Sequence, residues 1–343
     1  MKKPFLKFAI LGLVSIFLMV AAVGCGGSKD TASKSNNSGE AKKPEFVFKL
    51  GHLANEQDPW HIALTKFAKD VKEKSNGRIE VKIYPNESLG KEMDLIQGIQ
   101  AGTVDMTITG ESLQNWAPYA ALMATPYAIR DSEHLKKVAD GPIGDQIEKQ
   151  ITEKTGLMPI AWFERGPRNL TSNRPIKSPD DLKGLLMRVP NVPLFVETWK
   201  ALGAKPTPMA FSEVFTGLQQ HTIEAQENPL ALINSGGFYE VQKYVNKTEH
   251  VRGWIYVVIG KKQFDSMPKD LQKVFLDCAK DLQNYEHELF VKDEAKQEQT
   301  LKDKGMTFVD VDKAAFEAKA KEAVLKVLTP EQKALYEQIV NTK

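Results

Sequence analysis

The sequence predicts an α/β protein of two lobes, built on mixed but mainly parallel sheets. Three observations lead there. Strand-like alternation and helix-like periodicity take turns along residues 45–343, as they do where helices cover the faces of a sheet. The stretch DLIQGIQAGTVDM (Asp94 to Met106) returns as EVFTGLQQHTIEA (Glu213 to Ala225), without gaps, at an offset of 119 residues. Of the two cysteines, Cys25 lies near the start. Cys278 falls at helical spacing with Leu271, Val274, Phe275, Leu282 and Tyr285, so an apolar core and not a disulfide must hold the fold.

The chain opens with Lys2, Lys3 and Lys7, then a thirteen-residue apolar run from Phe8 to Val20. That is short for a membrane span, which needs about 20 residues, and it fits a signal peptide over residues 1–24. The small residues before Cys25, AAVGC, resemble a bacterial lipobox; cleavage would leave a mature chain starting at a lipid-bearing Cys25. The alternative is an uncleaved N-terminal anchor. Either way the rest lies outside the cytoplasmic membrane, on a bacterial surface or in a periplasm. Residues 25–44 hold no apolar residue larger than Ala and read as a flexible tether. Residues 45–343 suffice for two lobes of roughly 100–200 residues each.

The elements follow in order. EFVFKLGHLA is a strand, and DPWHIALTKFAKDVKEKSNG an amphipathic helix with Asp58 as cap, Pro59 at its first position and Gly77 beyond its end. RIEVKIYP alternates as a strand. Each copy of the repeat reads as helix, tight turn and short strand, with Gly98 matching Gly217 and Thr103-Val104-Asp105 matching Thr222-Ile223-Glu224. Gly102 in the first copy is His221 in the second, which costs energy if that turn needs a positive φ. MPIAWF and then LLMRV are strands, SPDDLKG is a capped helical turn, and Thr222 to Gln226 is the second repeat's strand. Leu271 to Lys304 is a long charged helix stopped by Gly305, MTFVDV a further strand, and TPEQKALYEQIV a final helix capped by Thr329.

Charge excludes one class of partner. The full chain has 46 basic and 44 acidic residues; loss of the three leader lysines leaves 43 against 44, with no long like-charge run. That is no footprint for nucleic acid. Nor is there a nucleophile elbow, a zinc-protease motif, a Walker loop or a dinucleotide fingerprint, and the six histidines are scattered singly. Neither a metal nor a cofactor is expected, and the protein does not read as an enzyme.

Two arginines stand out. Arg168 follows the strand MPIAWF, and Arg188 sits inside the greasy run LLMRVP. A guanidinium at a strand's carboxyl end, where clefts form, suits a carboxylate, which it can hold through two parallel hydrogen bonds. Each could instead pair with an internal acid or point to solvent. Asn228, in AQENP, either faces the same cleft or makes a local turn.

Four stretches carry a family likeness: ESLGKEMDLIQGIQAGTVDM, RNLTSNRPIKSPDDLKGLLMRVP, ALGAKPTPMAFSEVFTGLQQ and QENPLALI…FYEVQKYV. From about Phe46 onward the chain resembles the DctP-type solute-binding proteins of TRAP (tripartite ATP-independent periplasmic) transporters. The resemblance implies a Venus flytrap fold like that of periplasmic binding proteins, joined by a long helix and closing on a small organic acid that is passed to a membrane permease. It implies lobe I at 45–165 plus 254–293 and lobe II at 166–253 plus 294–343. By motif it implies that Arg188 clamps the ligand carboxylate, Arg168 assists, Asn228 is the site asparagine and Phe211 packs on the ligand. By region only, it adds His52, Asn55 and Glu111. The family usually has Gly at the places of His221 and Ala225. A surface-anchored enzyme, or an adhesin acting on a carboxylate-bearing partner, is the alternative reading of the same residues.

Overall fold

The computed structural model describes residues 43–343; the leader, Cys25 and most of the tether lie outside the described residues. Among the described residues nine strands form one sheet: β1 (Phe46–Gly51), β2 (Ile79–Tyr84), β3 (Met106–Thr109), β4 (Leu157–Ser172), β5 (Leu186–Val189), β6 (Lys205–Pro208), β7 (Ala225–Pro229), β8 (Tyr244–Gly260) and β9 (Thr307–Val309). Their spatial order is β2-β1-β3-β8-β4-β7-β5-β6, with β9 beside β8. Five pairings are parallel (β1 with β2 and β3, β5 with β6 and β7, β8 with β9) and three antiparallel (β3 with β8, β4 with β7 and β8). The sheet is thus mixed and mainly parallel.

The two longest strands make two lobes from one sheet. β4 and β8 pair from Leu157–Gly260 at one end to Ser172–Tyr244 at the other. The Leu157 end of β4 and the Gly260 end of β8 lie with β1–β3, and the opposite ends with β5, β6, β7 and β9. The register shifts between Arg165 and Arg168, where the strands pass from one half to the other. The helix Lys269–Asp303 packs along both: its Leu271, Phe275 and Leu282 join the core of the β1–β3 half, and its Leu301 joins the small core holding Val214, Ile233 and Val245.

Local signals work as read. Asp58 accepts from the Trp60 amide at 2.9 Å, satisfying one of the free N–H groups at the start of Pro59–Lys74. The two repeat copies form the same turn. Thr103 and Thr222 each donate an amide to the glycine five residues back, at 2.9 and 3.0 Å, and their hydroxyls reach the same carbonyls. A Cβ on Gly98 or Gly217 would come within 3.0 or 3.1 Å of Val104 or Ile223, which explains the shared glycine. Gly102 and His221 both sit at positive φ, 79° and 57°, so His221 does carry the left-handed conformation that glycine adopts freely.

Two expectations differ from the structure. The strand expected over Thr222 to Gln226 runs instead from Ala225 to Pro229, because it pairs with β4 over Arg168–Ser172; Asn228 lies within a strand, opposite Asn169. MPIAWF likewise extends to Ser172, so Arg168 is inside a strand as well. The final helix, Pro330–Asn341, falls in the range that the resemblance gives to lobe II. It docks on the other half: Gln332 donates to the Pro118 carbonyl at 2.7 Å, Arg130 to that of Val340 at 2.9 Å, and a His134 ring nitrogen lies 2.8 Å from that of Ile339. An amphipathic pattern marks the face a helix buries but not its partner.

Candidate functional site

Period-two alternation aims Arg188. In β5, Met187 and Val189 enter the main hydrophobic core, so the residue between them must face the other way. There the guanidinium, 4% exposed, reaches a cavity of about 110 Å³. Its Nε and Nη2 donate to the Met209 carbonyl at 2.9 and 2.7 Å. Among the described residues no carboxylate forms an ion pair with it. Burial pushes its pKa down to about 10, and the nearby Arg168 charge pushes the same way against the pull of Glu227. It remains a cation at neutral pH.

Arg168, across the sheet on β4, is committed. Nε lies 2.5 Å from Glu227 Oε2, and Nη2 lies 2.7 Å from Oε1 and 2.8 Å from the Glu227 carbonyl. Burial alone would raise the Glu227 pKa, but the charge and hydrogen bonds of Arg168, with a further bond from His250, hold it at about 2. The His250 ring nitrogen is 2.9 Å from Glu227 Oε2; burial outweighs that partner and lowers the imidazole pKa, leaving it neutral. Arg168 also lies over the ring of Phe195.

The cavity wall brings Arg188, Arg168, Asn228, Phe211 and Glu111 together. Glu111 accepts from Arg165 Nη2 at 2.5 Å, and its other oxygen is 4.0 Å from Arg168. Asn228 Nδ2 donates to Gln226 Oε1 at 2.6 Å. Phe211 begins the helix Phe211–Gln219 and rests against Phe238. His52 and Asn55 lie outside the cavity. A buried His52 ring nitrogen meets His61 at 3.1 Å, and burial, then His61, lowers its pKa to about 3. Asn55 instead bridges to the Ser235 carbonyl at 2.8 Å, beside an open polar groove.

Arg165 and Glu92 are among the wall residues that the sequence does not mark. Arg165 lies in the quoted ERGPR, but strand alternation alone does not reveal the register shift that brings both it and Arg168 to the cavity. Glu92, in the first turn of Glu92–Ala101, accepts from Thr109 Oγ1 at 2.7 Å and Ser112 Oγ at 3.1 Å; burial, with Glu111 adding, raises its pKa. A carboxylate in a first helical turn reads as dipole complement, which hid it. Both halves of the fold supply the wall, and contacts cross above it: Lys91 pairs with Glu213 at 2.5 Å, Glu87 accepts from the Ser212 amide at 3.2 Å, and Asn115 donates to the Asn191 carbonyl at 2.9 Å. Among the described residues no three His, Cys, Asp or Glu side chains are grouped to hold a metal ion.

Residues 50–330 match the profile of the bacterial extracellular solute-binding protein family 7, DctP. The chain belongs to this family. A solute-binding protein of Roseobacter denitrificans is 57% identical over 302 residues, 88% of this chain and 93% of the relative. A crystal structure of a TRAP periplasmic solute-binding protein from that organism, with bound L-galactonate, superposes with a TM-score of 0.86 at 57% identity, covering 87% of this chain and 99% of the other. Another, from Haemophilus influenzae with bound L-gulonate, gives a TM-score of 0.81 at 35% identity and covers 87% and 100%. This DctP-family chain is therefore an extracytoplasmic solute-binding protein of the TRAP type. Among the described residues no helix is long and apolar enough to cross a membrane.

Proposed function

We propose that the ligand is an open-chain sugar acid carrying one carboxylate, held at Arg188. Charge pairing around the cavity carries this reading. Of the three buried guanidiniums among the described residues, Arg165 is matched by Glu111 and Arg168 by Glu227, and Arg188 alone has only a backbone carbonyl. One uncompensated cation in a buried site calls for one anionic group. The remaining polar wall, Glu92 and Glu111, consists of acceptors suited to hydroxyl donors, and Asn228 can both donate and accept. Trp60 and Phe211 offer apolar faces to a carbon chain. Both crystal structures described above hold six-carbon hydroxy acids of this class.

Arg168 and Asn228 would orient the same end of the ligand, with Phe211 closing over it. The site reads as one that binds without turnover: Glu227 at a pKa of about 2 is a poor proton acceptor, and Glu111 is held by Arg165. We place the lobes at 45–165 plus 254–293 and 166–253 plus 294–343, with Pro330–Asn341 reassigned to the first. We also place a lipid on Cys25, on the strength of the AAVGC sequence, tethering the protein to the membrane. Cys25→Ser should then release it from the membrane fraction.

The test is calorimetry of residues 45–343 against L-galactonate, L-gulonate, a uronate and succinate. The aldonates should bind tightly and succinate weakly, because a second carboxylate would meet Glu92 and Glu111 with no free cation. Tight succinate binding without aldonate binding would overturn the monoanion reading.

A further inference from the structure

Behind the ligand cavity, under the long helix Lys269–Asp303, lies a second cavity of about 20 Å³, room for a single water. Its walls come from both halves of the fold: Asp58, Pro59 and Trp60 on one side, Pro229, Ala231 and Leu232 on the other. Glu286 faces it from the helix. The carboxylate is 1% exposed, and among the described residues neither oxygen has a hydrogen-bond partner. An ionised carboxylate in that position lacks both solvent and counter-charge, which is far too costly to persist.

Its surroundings are short of positive charge. On the same helix stand Asp293 and Glu294; the Pro59–Lys74 helix contributes its cap, Asp58; β4 contributes Glu164 and Arg165. Arg165 is already matched by Glu111. Arg252 of β8 lies 3.4 Å from Glu164, and His287, half-exposed, lies 4.0 Å from its other oxygen. Lys66 pairs with Asp70 and lies over the ring of Tyr285. The Leu230–Ser235 helix brings no ionisable group. Each of these cations thus has another partner, and the excess around Glu286 is acidic.

We propose that Glu286 is a proton-binding site that couples closure of the two lobes to uptake of a proton. When the lobes part, the wall formed by Asp58–Trp60 separates from that formed by Pro229–Leu232, water reaches the carboxylate, and it ionises. When they close, the carboxylate loses its water and takes up a proton. Burial, reinforced by Asp58 and Glu164, raises the Glu286 pKa well above the carboxylate range in the closed form, and burial brings Asp58 up to about 6 and Glu294 to about 7. The sign follows. The closed form binds more protons, so closure is fully favoured below the open-state pKa and weakens as pH rises toward the closed-state value. Across that window ligand affinity falls about tenfold per pH unit for one proton.

This inference rests on the reading that capture closes the lobes, so the test has one arm with ligand and one without. In titration calorimetry with L-galactonate at neutral pH, using buffers of different ionisation enthalpy, the wild type should take up about one proton per ligand. Glu286→Gln, a neutral isostere, should take up markedly less, leaving only the share of Asp58 and Glu294, and bind with an affinity that falls less steeply with pH. In small-angle scattering without ligand, the wild type should be more compact at about pH 5.5 than at about pH 8, and the variant equally compact at both. No proton uptake by the wild type, or the same uptake by the variant, overturns the proposal. If L-galactonate gives no heat with either protein, the ligand reading has failed; the scattering arm then decides alone, and identical profiles for both proteins at both pH values overturn the coupling.

Discussion

Arg168 and Glu227 grip each other through two parallel hydrogen bonds, at 2.5 and 2.7 Å, in a place solvent hardly reaches. Arg188, in the same cavity wall, has no such partner. The two arginines should therefore fail differently. Arg168→Ala leaves a buried carboxylate alone and should lower folding stability by about 3–5 kcal/mol. Arg188→Ala removes an unpaired buried charge, so ligand-free stability should hold or rise, while binding of the acid weakens by about 2–5 kcal/mol. Denaturant unfolding and calorimetry on both variants separate these outcomes. Equal destabilisation would mean that Arg188 is structural.

The same pair sets the acid limb of stability. Glu227 is held at about 2 when folded, below its ordinary 4.5, so its contribution is full above that ordinary value and drains away as pH falls toward 2. His250 adds an earlier step. Its folded pKa is depressed from 6.5, so stability is lost as pH drops below that value. Melting temperature against pH should show both declines. Glu227→Gln should flatten the lower one, and an unchanged curve would rule the pair out as its cause.

His221 occupies a turn that its counterpart Gly102 occupies without strain. His221→Gly should relieve a left-handed conformation costing roughly 1–2 kcal/mol, against roughly 0.5–1 kcal/mol of added chain entropy. The net expectation is a small gain, a rise in melting temperature of about 1–2 °C. A fall would show that the imidazole makes a stabilising contact in this turn.

Lys91 and Glu213 meet across the cleft mouth with both side chains about half-exposed. Such pairs are weak and screened by salt. Lys91→Glu should speed ligand release a few-fold at low ionic strength, and Glu213→Lys in the same protein should restore it. Stopped-flow release rates for the two single variants and the double variant test this; no rescue would mean that the contact does not act in closure.

Much of this was legible in the chain because it was local. The echo between Asp94–Met106 and Glu213–Ala225 carried real geometry: Asp105 and Glu224 each accept the backbone amide of a neighbouring strand, from Lys49 at 2.8 Å and Leu186 at 3.1 Å. Arg188 betrayed itself because a charge between Met187 and Val189 has no place in a core. What could not be read was long-range. Nothing local in Leu157–Ser172 or Tyr244–Gly260 says that one strand crosses two lobes. Glu92 and Arg165 look like ordinary helix-cap and loop charges until the strands bring them to one cavity. Glu286 looked like any acid on a charged helix, and only packing reveals which turn faces inward.

The place of β8 governs when this chain can fold at all. It is the shared neighbour of β3, β4 and β9, yet it begins at Tyr244, well after β1 to β7. A nascent chain emerging from the ribosome has its early strands but not the one that joins them, so its halves stay open-edged and unfinished. Partners so distant in sequence also close slowly. The sheet that unites the two halves therefore cannot close until residues 244–260 have been made.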